Sequence, residues 1–283
     1  IGERYGIYQP TSQTVGPAGY VRGLRVIPHA VDIARDIAHY CPDAIVLNLA
    51  NPLAAVCRSM VREAGVEVIG LCEQWAVTLP VFGQLLGVEA YELDCVSVGT
   101  NHLTFAKALH HGGEDVLPEF LSRLETEAGQ ALLEEMPVSR EIYEAFGLWP
   151  TGTEAHIAEF FPYFLTPETR GGQDYGLETR HVTEEQIAER KQERASWADG
   201  SGSIDGLLGP SGESVVELIA ALLGMEEADV HMVNVPNGGG IDGLPEQTFV
   251  ELPTHIGPGG ARGLKVGALL QPVSQVLSTR AAQ

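Results

Sequence analysis

Two rhythms of apolar and polar positions alternate over the first third of the chain. From Leu24 onward, and clearly in PHAVDIARDIAHYCPD (28–43), apolar residues recur three and four apart, which predicts a helix stopped at Cys41-Pro42. AIVLNLANP (44–52) is a short apolar run that breaks at Asn-Pro, the pattern of a buried strand entering a loop. LAAVCRSMVREAG (53–65) predicts an amphipathic helix ended by Gly65, and VEVIGLC (66–72) a second strand. QWAVTLPVFGQLLG (74–87) reads as a helix despite Pro80. YELDCVSVGTNHLTFAKAL (91–109) alternates as far as Gly99 and predicts a third strand. This succession predicts a mostly parallel sheet covered by helices, with the reactive loops at the strands' C-terminal ends. Asn51-Pro52, Cys72-Glu73 and Asn101-His102 all fall at such ends.

From about Val116 to Trp197 the pattern is helical and rich in Glu, interrupted by the aromatic segment FGLWPTGTEAHIAEFFPYFLTPE (146–168). DGSGSIDGLLGPSG (199–212) reads as a linker or surface loop, and ESVVELIAALLG (213–224) resumes as a helix. Short strands broken by Gly and Pro follow in 230–260, and a helix is expected at the C-terminal end. The glycines of PNGGG (236–240) and GPGG (257–260) lack the context of a phosphate-binding loop and read as turns.

Composition narrows the classes. The 17 Lys and Arg stand against 38 Asp and Glu, a net charge of −21, which repels nucleic acid and anionic lipid, and no basic cluster offsets it. No apolar run is long enough for a membrane span, and no signal peptide is recognisable. Cys41, Cys57, Cys72 and Cys95 show no disulfide spacing, so reduced thiols in a cytoplasmic protein are expected. The chain opens without Met in loop-like IGERYGIYQPTSQTVGPAGYVRG, from which an upstream segment, or a separate chain supplying it, is expected.

The candidate chemistry gathers at the strand ends. Cys72 is either a packed thiol or, with His102 thirty residues on, half of an incomplete cation site whose open positions substrate would fill. Glu73 is either an ordinary carboxylate near a helix start or a proton donor beside that cation. Asn48 and Asn51 need partners if buried, whether backbone or ligand. His156 and Glu159, preceded by Glu154 and followed by Tyr163, would share a helix face among aromatic residues, as in a core or a sugar pocket.

Taken in order, ERYGIYQPTSQTVGPAGYVRGLRVIP, CPDAIVLNLANPLAAV, GLCE, GTNHLTF, WPTGTEAHIAEFFPYF and VNVPNGGGIDGLPEQTFVELP resemble the NAD- and divalent-metal-dependent glycoside hydrolases of family 4. The resemblance implies an α/β fold: the remainder of a Rossmann-like, lactate/malate dehydrogenase-like parallel sheet domain (1–100), lacking its glycine-rich turn, joined to an α+β catalytic domain (101–283). It implies Cys72 and His102 as ligands of Mn2+ or a similar cation, and Gln13 and Asn48 on the NAD side. Asn51, Asn101, His156, Glu159 and Arg25 are implied around the sugar.

Glu73 takes the position of an acid acting on the leaving group, and Glu154 that of a base, with Tyr163 in reserve. The activity implied is hydrolysis of a small α-galactoside, α-glucoside or α-glucuronide by oxidation at C3, elimination and addition of water, in a homodimer or homotetramer. Two other readings stay open: a 2-hydroxyacid dehydrogenase, which Cys72 and His102 fit poorly, and a non-catalytic subunit that keeps the fold.

Overall fold

The computed structural model describes residues 2–179, 182–208, 214–225 and 229–281. The first long element is α1 (Gly16–Tyr40), which starts well before the periodic stretch and carries Pro28 in its interior. Three glycines in the first two turns hide the helical pattern, while Pro17 suits a helix start because its missing N–H would have no partner there. After β1 (Ile45–Asn48), α2 (Leu53–Ala64) returns the chain to β2 (Glu67–Gly70), and β1 and β2 pair in parallel. Residues 74–86 divide into a 3-10 turn and α3 (Leu79–Leu86), with Pro80 in the first helical turn rather than inside a longer helix.

The third strand departs from the parallel expectation. β3 (Leu93–Thr100) and β4 (Leu103–His111) are joined by Asn101 and His102 alone, with Thr100 paired to Leu103. Two residues can only make a hairpin, since a parallel partner needs a crossover of a dozen residues or more. β5 (Glu114–Asp115) and β6 (Pro150–Thr151) add to β4. The Glu-rich middle forms α4 (Leu117–Arg123), α5 (Glu127–Glu135), α6 (Pro137–Phe146), α7 (Glu154–Phe160) and α8 (Glu184–Asp199). Then come α9 (Val215–Leu222), β7 (Asp229–Pro236), β8 (Phe249–Gly257), β9 (Gly260–Gly263) and α10 (Gln271–Ala281). Of the linker expected at 199–212, residues 209–212 lie outside the described residues; Asp205–Leu207 form a 3-10 turn.

The described strands make one nine-stranded sheet in the order β1-β2-β7-β8-β3-β4-β5, with β9 on β8 and β6 on β4. It is a Rossmann-like sheet with flanking helices that continues into an α+β portion, and apart from β1 with β2 the strands pair antiparallel. Gly70, Asn234, Glu251 and Gly99 form a row across β2, β7, β8 and β3. β2 and β3 run in opposite senses, and both reach their C-terminal ends at this row. The chain segments leaving it carry Cys72 and His102.

Packing follows the pattern of the chain. Leu53, Val56, Cys57 and Met60 of α2 pack with Val68 and Phe249. The largest cluster joins Ile69, Val98 and Leu252 to Ile157, Phe161 and Phe164. Phe82, Phe120 and Trp149 centre a third cluster. No described helix is long and apolar enough to cross a membrane.

Candidate active site

The hairpin between β3 and β4 presents His102 in the left-handed region, at φ 69°. A non-glycine residue held there costs energy that the surrounding fold must supply, which marks positions kept for function. The turn is tight because Gly99 has no side chain: a Cβ there would lie 2.2 Å from the Leu103 carbonyl oxygen. His102 is 3 % exposed, and its Nε2 lies 3.2 Å from Cys72 Sγ. Its Nδ1 meets Thr14 Oγ1 at 2.8 Å.

Burial, aided by the neighbouring His156, lowers the His102 pKa to about 3. The ring is therefore neutral at ordinary pH and holds a lone pair for a cation. Cys72 is half-buried, whereas Cys57 and Cys95 are fully buried, and burial pushes those two thiols up to about 12.

Thr14 sits in the loop before α1, and nothing in the periodicity of the chain marks it. That loop lies close against the helix, since a Cβ on Gly19 would fall 2.6 Å from the Thr14 carbonyl carbon. Thr14 Oγ1 is also 3.5 Å from Asn51 Oδ1, which accepts from Leu53 N at 3.2 Å. Asn51 is thereby brought into the neighbourhood of the Cys72–His102 pair. His156 packs its ring edge-on against His102 at 4.2 Å between centroids, with Nδ1 2.7 Å from Thr153 Oγ1. Asn101 is 1 % exposed, and neither its Oδ1 nor its Nδ2 has a hydrogen-bond partner.

Several expected residues have other duties. Glu154 is held at the start of α6. Its carboxylate accepts from Val138 N (2.7 Å), Ser139 N (3.0 Å) and Ser139 Oγ, closing the N-terminus of α6. Burial lifts its pKa and these donors partly offset the rise.

Glu159, expected on the sugar, accepts from Thr11 N (2.6 Å), Thr11 Oγ1 (2.7 Å) and Ser12 N (2.8 Å), and so anchors the loop that carries Thr14. Tyr163 is exposed and lines a surface groove with Arg140 and Glu141, and partial burial, with Glu141 and Tyr175 nearby, pushes its pKa up to about 12. Asn48 spends its amide on Ala50 and on Cys57 Sγ, bracing the strand end rather than facing a cofactor. Arg25 is exposed on α1 and lines a different groove, with Arg22 and Asn48. Gln13 is half-buried and makes no side-chain hydrogen bond among the described residues.

Glu73 remains beside Cys72. Its Oε1 accepts from Ser214 N at 2.8 Å and Ser214 Oγ at 2.5 Å, which ties it to the start of α9. Sequence reasoning had no means of finding Ser214, a contact across 141 residues. Among the described residues no three His, Cys, Asp or Glu side chains cluster as a closed cation site. The site offers two protein donors and open positions.

Known proteins resemble the chain over nearly its whole length. The sequence profile of the family 4 glycosyl hydrolases matches residues 1–88, and that of the family 4 glycosyl hydrolase C-terminal domain matches residues 97–283. An alpha-galacturonidase of Bacillus subtilis (strain 168) is 32 % identical over 98 % of this chain, which spans 66 % of that relative's length. The crystal structure of lplD from Bacillus subtilis, a proposed glucosidase, superposes with a TM-score of 0.82 at 28 % identity, covering all of this chain and 69 % of that one. A 6-phospho-alpha-glucosidase from gut microorganisms, solved with NAD and Mn2+, shares the fold at 22 % identity and a TM-score of 0.67, over 94 % of this chain and 63 % of its own.

Proposed function

The chain belongs to family 4 of the glycosyl hydrolases, and from that premise we propose that Cys72 and His102 hold a divalent cation, Mn2+, in a site that cleaves a small α-glycoside with NAD as redox cofactor. The α-galacturonidase relative favours a uronide among such substrates. One observation carries the reading: two side chains thirty residues apart lie 3.2 Å from each other, one of them a buried, neutral imidazole.

A thiolate and an imidazole suit a borderline-soft cation, and two protein donors leave positions for substrate hydroxyls and water. When bound, the cation polarises the sugar oxygens beside it while NAD takes up and returns a hydride. The residues of the chain supply the rest. Thr14 fixes the orientation of the His102 ring through Nδ1, as groups behind a ligand histidine do elsewhere. Asn51 lies within reach of the same hydroxyl and is placed to meet the substrate.

Glu73 stands next to Cys72 with one oxygen anchored by Ser214, which leaves Oε2 to hold a proton for the departing group. With the Glu154 carboxylate bound by Val138 and Ser139, His156, whose ring packs on His102, is the candidate for removing a proton from the sugar. Gln13 is the contact proposed on the nicotinamide side.

The test is a Mn2+ titration followed by electron paramagnetic resonance, run on the wild type, Cys72→Ala and His102→Ala. Each variant is expected to lose the bound signal, and full metal content in either overturns the assignment. Activity on a panel of nitrophenyl α- and β-glycosides, uronides included, with and without NAD+ and Mn2+, then checks the reaction. Turnover that persists without either cofactor overturns the mechanism.

A further inference from the structure

α9 is apolar on every side, with Glu217 the one charge between Val215 and Leu222. Leu218 and Ala221 turn into the largest core cluster. Val216, Ile219 and Leu223, spaced three and four apart, form an outer stripe that is 74, 43 and 67 % exposed. A helix apolar all round belongs in an interior, and an apolar stripe left on a surface marks contact with another molecule.

α8 has the opposite defect. None of its 16 residues is buried, and a lone helix of that length is marginal in water. Its charges do not support it either. Glu185, Glu189 and Glu193 stand four apart, like on like, as do Arg190 and Arg194. Ile187, Arg190, Lys191 and Arg194 share one face at helical spacing, and the three cations form no ion pair among the described residues. From Ala195 to Ala261 the sequence has no Lys or Arg, so α9 lies in a purely acidic stretch.

We propose that a second copy of this chain covers both helices, the basic face of each α8 lying on the outer face of the other copy's α9. The two faces complement each other. Ile187 and the arginine stems cover the apolar stripe, while the charged ends of Arg190, Lys191 and Arg194 meet the edge that carries Glu217. One two-fold axis makes both contacts at once, since each copy accepts what the other offers. Over the rest of the surface two chains of net charge −21 repel each other, and the same charge opposes an anionic membrane as the occupant. Ser214, at the start of α9, holds Glu73 through its N–H and hydroxyl, so the contact also braces the carboxylate beside Cys72. That consequence rests on the role proposed for Glu73, whereas the association does not.

Sedimentation velocity of the chain at micromolar concentration tests this. The wild type is expected to be a dimer and Ile219→Glu a monomer. The double variant Arg190→Glu/Arg194→Glu is expected to dissociate at least about tenfold more readily. Circular dichroism reports whether each variant is folded, and the exposed arginine pair keeps the test decisive if Ile219→Glu is not. A monomeric wild type, wild-type affinity in either folded variant, or a monomer that binds phosphatidylserine vesicles overturns the proposal. In Ile219→Glu kcat is expected to fall at least about tenfold with Mn2+ affinity unchanged. A monomer that keeps the wild-type kcat overturns the link to Glu73. A wild type that dimerises through these helices but cleaves no glycoside refutes the proposed function and supports this interface.

Discussion

His102 combines three properties that rarely coincide: a left-handed backbone, near-complete burial and a partner on each ring nitrogen. Its depressed pKa has a consequence for stability. As pH falls through 6.5 the unfolded chain protonates this imidazole while the folded one stays neutral down to about 3, so stability is lost across that window and retained above it. Urea denaturation in the presence of a chelator should therefore show the wild type losing about 2 kcal/mol more than His102→Gln between pH 7 and pH 5. An identical loss in both would mean that the ring is not held neutral.

Thr14 offers a second test at this scale. Thr14→Val keeps the shape and removes the hydroxyl, and Mn2+ affinity is expected to fall about 10- to 100-fold with little change in melting temperature. Affinity equal to the wild type would show that His102 needs no such partner.

At the scale of elements, a carboxylate expected as a base and another expected on the sugar are fastenings. Glu154 closes the start of α6, and Glu159 holds the loop before α1. Glu154→Ala removes an N-terminal cap and is expected to cost about 1–2 kcal/mol, visible as a melting temperature lower by a few degrees, while Mn2+ binding is unchanged. Loss of metal from this variant would return Glu154 to the site. The hairpin of β3 and β4 shows the opposite case, in which a two-residue turn presents His102, the proposed cation ligand.

For the whole molecule, the sheet row through Gly70, Asn234, Glu251 and Gly99 ties the first half of the chain to the second at the level of the site. Asn234 and Glu251 are buried, and Asn234 Nδ2 donates to Glu251 Oε2 at 2.9 Å. A Cβ on Gly70 would lie 3.0 Å from Asn234 Cβ and 3.1 Å from Cys57 Sγ, tight against both β7 and α2. Gly70→Ala is expected to destabilise the protein by about 1–3 kcal/mol and to weaken metal binding with it, since Cys72 follows two residues later. A denaturation midpoint at the wild-type value would show that the row tolerates a side chain.

Local pattern was enough to place most helices and strands, and the ends of strands where Asn51, Cys72 and His102 fall, because periodicity and Gly/Pro punctuation act over a few residues. The ordered motifs pointed to the family and to the Cys72–His102 pair. Other features depend on residues distant in the chain and left no local trace. These include the antiparallel joining of β2 to β7 and of β8 to β3, the reach of Thr14 to His102, and the grip of Ser214 on Glu73. The same holds for Glu154, Glu159 and Tyr163. A carboxylate near aromatic residues reads alike whether it faces a sugar or the end of a helix, and only the folded chain, by bringing Val138, Ser139, Thr11 and Ser12 to those oxygens, decided which.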